Sequence, residues 1–138
     1  MKDMKIQDVM STKLITLHPK DKIQRAKDVF AEFNIHHIPI VVMNKLVGIL
    51  SQGDILYLES VAKNSFDRFL QSKLFEINAV EEVMSKQLFI MSLQSSLDEV
   101  LSLMINHKIN AIPIVDNDEL VGLITSYDIL KLVSEQLK

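Results

Sequence analysis

Residues 36–56 read HHIPIVVMNKLVGILSQGDIL, and residues 110–130 read NAIPIVDNDELVGLITSYDIL. Sliding the chain against itself by 74 positions aligns Ile38-Pro39-Ile40-Val41 with Ile112-Pro113-Ile114-Val115, and Asp54-Ile55-Leu56 with Asp128-Ile129-Leu130. Further out, the same offset pairs Val9-Met10-Ser11 with Val83-Met84-Ser85. It holds from residues 6–59 to 80–133 without a gap, and 16 of those 54 pairs are identical. A self-similarity of fixed period means that one supersecondary unit is used twice. The doubled stretch therefore sets the architecture.

Each copy has the same plan. Ile38 to Val42 and Leu46 to Leu50 are β-branched-rich runs separated by the polar Met43-Asn44-Lys45, which predicts a hairpin; Asn117-Asp118-Glu119 repeats the device. A closing helix is expected from about Gln52 and from Ser126. Upstream, Lys13 to Leu17 and Gln87 to Met91 read as short strands. Ile23, Ala26, Val29, Phe30 and Phe33 recur at helical spacing, as do Leu97, Val100, Leu101, Met104 and Ile105. Asp21 and Ser95 stand at the expected N-caps, with Gln24 and Asp98 three residues on, and the helices should end near Asn34 and Lys108.

The unit is thus strand, helix, strand, strand, helix, an α/β (α+β) plan of two βαββα repeats. The repeats occupy 1–60 and 80–138, with a linker helix over 61–79 that sets Phe66, Phe69, Leu70, Leu74 and Ile77 on one face. A repeat of about 54 residues is marginal alone, so the two copies are expected to pair. The linker stripe is expected to pack on its own module, with a dimer contact as the alternative.

Composition narrows the function. The chain has 138 residues, 48% of them apolar and 24% charged, which is ordinary for a globular domain. Its formal charge of -3 and lack of a Lys/Arg-rich run argue against nucleic acid. There is no cysteine, hence no disulfide, thiolate nucleophile or Cys-based zinc site. The N-terminus MKDMKIQDVM carries charges where a signal peptide needs an apolar core, and no run approaches the roughly 20 residues that span a bilayer. A soluble cytoplasmic protein with no membrane partner is the expectation.

Laid out in this way, the sequence resembles a tandem pair of CBS domains, the family named for cystathionine β-synthase. The resemblance rests on the lead-in Val-Met-Ser, the Ile-Pro-Ile-Val strand, and Val47-Gly48-Ile49-Leu50-Ser51-Gln52-Gly53-Asp54 or Val121-Gly122-Leu123-Ile124-Thr125-Ser126-Tyr127-Asp128 opening the last helix. These pieces occur in order, twice, over nearly the whole chain. The resemblance implies a pseudo-twofold module with two clefts between the repeats, able to hold AMP, ADP, ATP or S-adenosylmethionine. It further implies regulation rather than catalysis, no required cofactor, and a homodimer.

The residues offer their own chemistry at Ser51-x-x-Asp54 and Thr125-x-x-Asp128. A hydroxyl followed three positions later by a carboxylate is the pattern of a capping box, which needs no ligand. The usual partner is Glu or Gln, however, and the shorter Asp is expected to close the box less well. A first-turn carboxylate also repels phosphate while suiting a neutral vicinal diol, whose two hydroxyls it can accept. Asp54 and Asp128 are therefore expected to bind ribose, matching their role in the family, with Ser51 and Thr125 beside them.

Gly48 and Gly122 lie inside strand patterns, where close backbone packing is the expected reason. Ile15 or Phe89, and Ile49 or Leu123, could floor an adenine. His36 and His37 make a poor metal site, because neighbours on an extended segment point to opposite faces and no ligand cluster lies at zinc spacing. They are read either as structural or, by resemblance to members with basic residues before this strand, as a phosphate contact. The equivalent Asn110-Ala111 is uncharged, so the two clefts should differ. By the family geometry, Thr125, Asp128, Leu123, Ile15, Ile35 and His36, with His37 beside it, form the stronger site. Ser51, Asp54, Ile49, Phe89, Ile109 and Asn110 form the weaker one. A phosphate held by His36 should bind better at pH 6 than at pH 8.

The expected function is a regulatory module that binds an adenosine-containing ligand and signals to a partner protein. The rival from another class is a ligand-free structural or dimerisation module. An enzyme is disfavoured, since no Walker or dinucleotide glycine loop and no nucleophile-base pattern occurs.

Overall fold

The computed structural model describes residues 4–63 and 68–138, with no side-chain account of 64–72. The chain forms two compact units, one of Met1–Leu14 with Phe89–Lys138 and the other of Ile15–Leu88. Each unit is therefore built from one repeat's hairpin and helices together with the lead-in that precedes the other repeat in sequence.

In the unit of Ile15–Leu88, α1 (Ile23–Glu32) precedes a two-stranded antiparallel hairpin of β1 (His37–Val42) and β2 (Lys45–Ser51). Helix α2 (Gln52–Lys63) follows at once, then α3 (Arg68–Ile77) and a 3₁₀ turn at Val80–Glu82. The other unit contains a 3₁₀ turn at Ile6–Asp8, β3 (Met91–Ser92), α4 (Leu97–His107), β4 (Ala111–Asp116), β5 (Glu119–Thr125) and α5 (Ser126–Gln136). Its sheet has the order β3-β4-β5, with β3 parallel to β4.

The two hairpins match residue for residue. Ile40 faces Gly48 and Ile114 faces Gly122, with a bulge just after Ile40 and just after Ile114. The turns are two residues rather than three, since Lys45 and Glu119 already belong to the strands. Met43 and Asn44 have φ of 52° and 65°, and Asn117 and Asp118 have 51° and 64°. Positive φ at both central residues is the type I′ geometry whose twist matches that of the flanking strands.

The expected first strands are much reduced. Lys13 to Leu17 gives a single parallel bridge, Leu17 to Ile40, in which the Leu17 amide donates to Pro39 O (3.2 Å) and Leu17 O accepts from Val41 N (2.9 Å). Gln87 to Met91 contributes only its last residue to β3. Both segments have strand-like side chains, yet the backbone meets a partner only where it touches the hairpin. The caps also shift by one residue. Lys22, whose side chain makes no capping bond, precedes α1, while Asp21 instead accepts from the His18 amide at 2.8 Å. Ser96 caps α4, accepting from Glu99 N at 3.1 Å, and Ser95 Oγ accepts from the Ser92 amide. At the far end of α4, Lys108 closes the helix in the left-handed conformation, φ 53°.

Each unit has its own core. Ile23, Ala26, Phe30, Ile38, Ile40, Leu50, Ile55, Phe75 and Val80 are buried together in one, with Val83 and Met84 packed against them. Ile6, Leu97, Val100, Met104, Ile112, Ile114, Ile124 and Leu132 are buried in the other, with Val9 and Met10 against them. The buried face of each helix stops one residue short of the helical periodicity, for Phe33 and Ile105 are exposed, Ile105 at 72%. Of the expected linker face, Phe66 and the side chains of Phe69 and Leu70 lie outside what is described, and Leu74 is half-buried. Ile77 is 57% exposed; among the described residues of this helix Phe75 is the buried one, at 7%, with the Lys27 ammonium 5.2 Å above its ring. Among the described residues no helix is long and apolar enough to cross a membrane.

Candidate functional site

Each hairpin ends where a helix begins, and the junction fixes a carboxylate. At the end of β2 the Ser51 amide donates to Asp54 Oδ2 at 2.9 Å, and the Asp54 amide donates to Ser51 Oγ at 3.1 Å. At the end of β5 the Thr125 amide donates to Asp128 Oδ2 at 2.9 Å, and the Asp128 amide donates to Thr125 Oγ1 at 3.4 Å. Both are complete reciprocal capping boxes. The expectation that aspartate would fit the box poorly is therefore wrong. With the cap residue in extended backbone, as Thr125 is at φ −120° and ψ 166°, the shorter side chain still reaches the amide.

What the cap leaves over is the chemical content of the site. Asp54 and Asp128 are half-buried, and neither takes part in a salt bridge among the described residues. A carboxylate with no cation opposite keeps for outside donors whatever acceptor sites its cap leaves open. Among the described residues no group of His, Cys, Asp and Glu is arranged to hold a metal.

The lead-ins fasten these junctions. In one unit Ser11 and Leu123 exchange both backbone hydrogen bonds, N to O at 2.9 and 3.0 Å; in the other Ser85 and Ile49 do the same, at 2.9 and 3.0 Å. This brings Met10 against Gly122 and Met84 against Gly48. A Cβ at Gly48 would lie within 2.4 Å of Met84 Sδ, and one at Gly122 within 2.4 Å of Met10 Sδ. Close packing explains both glycines, as expected. The partner could not have been read from the sequence, because each methionine belongs to the lead-in of the opposite repeat.

The segments before β1 and β4 also lie at these junctions. His36 is exposed; its Nδ1 donates to Gln52 Oε1 at 2.9 Å, and its carbonyl accepts from the Gln52 amide. His37, half-buried in β1 opposite Ser51, has its imidazole pKa pushed below the usual value. Burial is the main cause, the neighbouring His36 adds to it, and the Asp54 carboxylate opposes it. In the other unit the Asn110 carbonyl accepts from the Ser126 amide at 2.9 Å, and the exposed Asn110 leads into the uncharged Ala111.

The apolar candidates divide between the units. Ile15, Ile35 and Ile49 are half-buried in the unit of Ile15–Leu88, where Ile35 packs on the core. Leu123, Phe89 and Ile109 belong to the other; Leu123 is buried, and the half-buried Phe89 ring lies 4.5 Å from the His107 ring, tilted by 38°. Sequence reading missed His107 as the companion of Phe89, a contact between a segment and a helix terminus that no periodicity announces. It also missed Ser11, whose hydroxyl donates to Asp128 Oδ1 at 3.2 Å.

Known proteins share this fold. The CBS domain family profile matches residues 6–60 and 80–135. The chain is 32% identical over 124 residues to the CBS domain-containing protein YhcV of Bacillus subtilis, covering 90% of this chain and 81% of YhcV. The AcuB structure from Vibrio cholerae superposes with a TM-score of 0.82 at 32% identity, covering 97% of this chain and 93% of that one. The CBS domain pair of MJ0100, solved in complex with 5′-methylthioadenosine and S-adenosyl-L-methionine, gives a TM-score of 0.77 at 30% identity, covering 94% and 99%.

Proposed function

Because this chain belongs to the CBS domain family and carries the domain twice, we propose that it is a regulatory module binding an adenosine-containing ligand at its two strand-to-helix junctions. The observation that carries the reading is the pair of half-buried carboxylates, Asp54 and Asp128, each fixed by a backbone amide at 2.9 Å and paired with no cation. Such an acceptor suits the neutral hydroxyls of a ribose. The ligands held by the MJ0100 pair, 5′-methylthioadenosine and S-adenosyl-L-methionine, both carry that diol. Ser51 and Thr125 frame the carboxylates. Ile15, Ile35, Ile49, Leu123, Phe89 and Ile109 are proposed as apolar walls, and Asn110 as a polar contact. His36 and His37 are the proposed contacts for a phosphate where the ligand has one. With His36 Nδ1 bonded to Gln52 Oε1 at 2.9 Å, its other ring nitrogen, Nε2, is the one proposed to meet the phosphate. The module's output would pass to a partner protein, through different ligand affinities of two states.

Calorimetry against AMP, ADP, ATP and S-adenosylmethionine tests this reading. The double variant Asp54→Ala/Asp128→Ala should weaken binding on the order of a hundredfold, since hydrogen bonds to charged groups contribute roughly 1.5–3 kcal/mol each. An unchanged dissociation constant, or no binding by the parent protein, refutes it.

A second reading, a ligand-free dimerisation module, has its own support. The capping boxes account for both aspartates without a ligand, and α2 and α5 expose apolar side chains, Leu56, Tyr57 and Val61 on one and Tyr127, Leu130 and Val133 on the other. Contiguous exposed apolar surface on helices marks an interaction site. A homodimer through these helices is compatible with either reading. Analytical ultracentrifugation of Leu56→Glu/Leu130→Glu, expected to be monomeric, tests it; an unaltered dimer places the interface elsewhere.

A further inference from the structure

The two carboxylates look interchangeable in sequence but are not equally available. A carboxylate offers about four lone-pair sites. Asp128 Oδ2 accepts from the Thr125 amide at 2.9 Å and from the Thr125 hydroxyl at 3.2 Å, and its Oδ1 accepts from the Ser11 hydroxyl at 3.2 Å. Asp54 accepts only from the Ser51 amide, at 2.9 Å, and among the described residues its Oδ1 accepts from nothing. The counterpart of Ser11 in the other unit, Ser85, turns its hydroxyl instead to the Gln87 carbonyl at 3.4 Å. By this count Asp128 keeps about one free acceptor site and Asp54 about three.

A vicinal diol needs two acceptors. From this we propose that Ser11 is a specificity-determining residue that occupies Asp128 in place of a ligand hydroxyl, so that a cis-diol ligand binds first and more tightly at Asp54. The order is the reverse of the one the sequence suggests, in which the Thr125–Asp128 site ranks first. The inference rests on the ribose-binding reading above and deepens it. Ser11 acts through Asp128 and is a positioning residue: it lies on the lead-in that exchanges two backbone hydrogen bonds with Leu123, so its main chain is held beside Asp128. A diol at Asp128 must displace this hydroxyl or engage the carboxylate through one hydroxyl only.

The test is stepwise calorimetry with AMP and with S-adenosylmethionine on the parent, Asp54→Ala, Asp128→Ala and Ser11→Ala. Asp54→Ala should remove the tighter step, whereas Asp128→Ala should leave it within about twofold. Ser11→Ala should strengthen the weaker step roughly tenfold, the value of one hydrogen bond to a charged group. That gain should vanish with 2′,3′-dideoxyadenosine monophosphate, which lacks the diol; a purely structural role for Ser11 would not distinguish the two nucleotides. Asp54→Asn and Asp128→Asn keep a cap acceptor and serve where an alanine variant fails to fold. Equal dependence on the two aspartates, or a weaker step indifferent to Ser11→Ala, overturns the inference while ribose binding stands. No binding of either probe by the parent overturns both.

Discussion

Gly48→Ala tests how the lead-in is seated. The added methyl would stand 2.4 Å from Met84 Sδ, 2.9 Å from its Cγ and 3.0 Å from its Cε. Carbon and sulfur atoms in ordinary contact are about 3.5–4 Å apart, so the thioether must move by about 1 Å or more. The backbone cannot withdraw cheaply, because Ser85 and Ile49 exchange hydrogen bonds at 2.9 and 3.0 Å beside it, and Met84 already packs on the core of its unit. Overpacking of this kind costs about 1–3 kcal/mol. Replacing glycine restricts the unfolded chain and returns about 0.4–1 kcal/mol. A net loss of about 1–2 kcal/mol is expected, a fall of several degrees in Tm. Urea denaturation followed by circular dichroism gives the value, and Met84→Ala completes a double-mutant cycle. If the clash is the cause, the methyl is tolerated once the thioether is gone and the pair couples by more than about 0.5 kcal/mol. A neutral Gly48→Ala, or additivity with Met84→Ala, refutes the reasoning, and Gly122→Ala with Met10→Ala repeats the test in the other unit.

Three further outcomes follow from single residues. His37 has its pKa lowered by burial, so the native state binds a proton less readily than the unfolded chain. Its contribution to stability is fully present above the unfolded value near 6.5 and is lost as pH falls below it toward the folded pKa. His37→Gln should flatten the urea midpoint between pH 7 and pH 5, and an unchanged slope would count against the burial argument. Ser96→Ala should destabilise by about 0.5–2 kcal/mol as α4 loses its cap, measured by the same denaturation; a neutral substitution would mean that the cap adds nothing. Phe75→Ala should cost about 3–5 kcal/mol, while Ile77→Ala, 57% exposed, should stay within about 0.5 kcal/mol; comparable losses would contradict the placement of α3.

The sequence by itself determined whatever depends on neighbours along the chain. The repeat, the hairpins opening on Ile38-Pro39-Ile40 and Ile112-Pro113-Ile114, and the helices starting at Gln52 and Ser126 were legible because strand alternation, turn residues and helical spacing are local signals. The pairing of Ser51 with Asp54 and of Thr125 with Asp128 was equally local, although its geometry was misjudged. Only the tertiary structure decided that Lys13 to Leu17 meets the hairpin through a single bridge, that Phe75 rather than Ile77 anchors α3, and that Met10 lies against Gly122. Ser11 stands 117 residues from Asp128 in sequence, yet its hydroxyl takes up part of that carboxylate. Spacing cannot predict such a contact, because a hydrogen bond depends on where the backbone returns in space, and here the lead-in is held by the buried Ile6 and by the paired backbone bonds of Ser11 and Leu123.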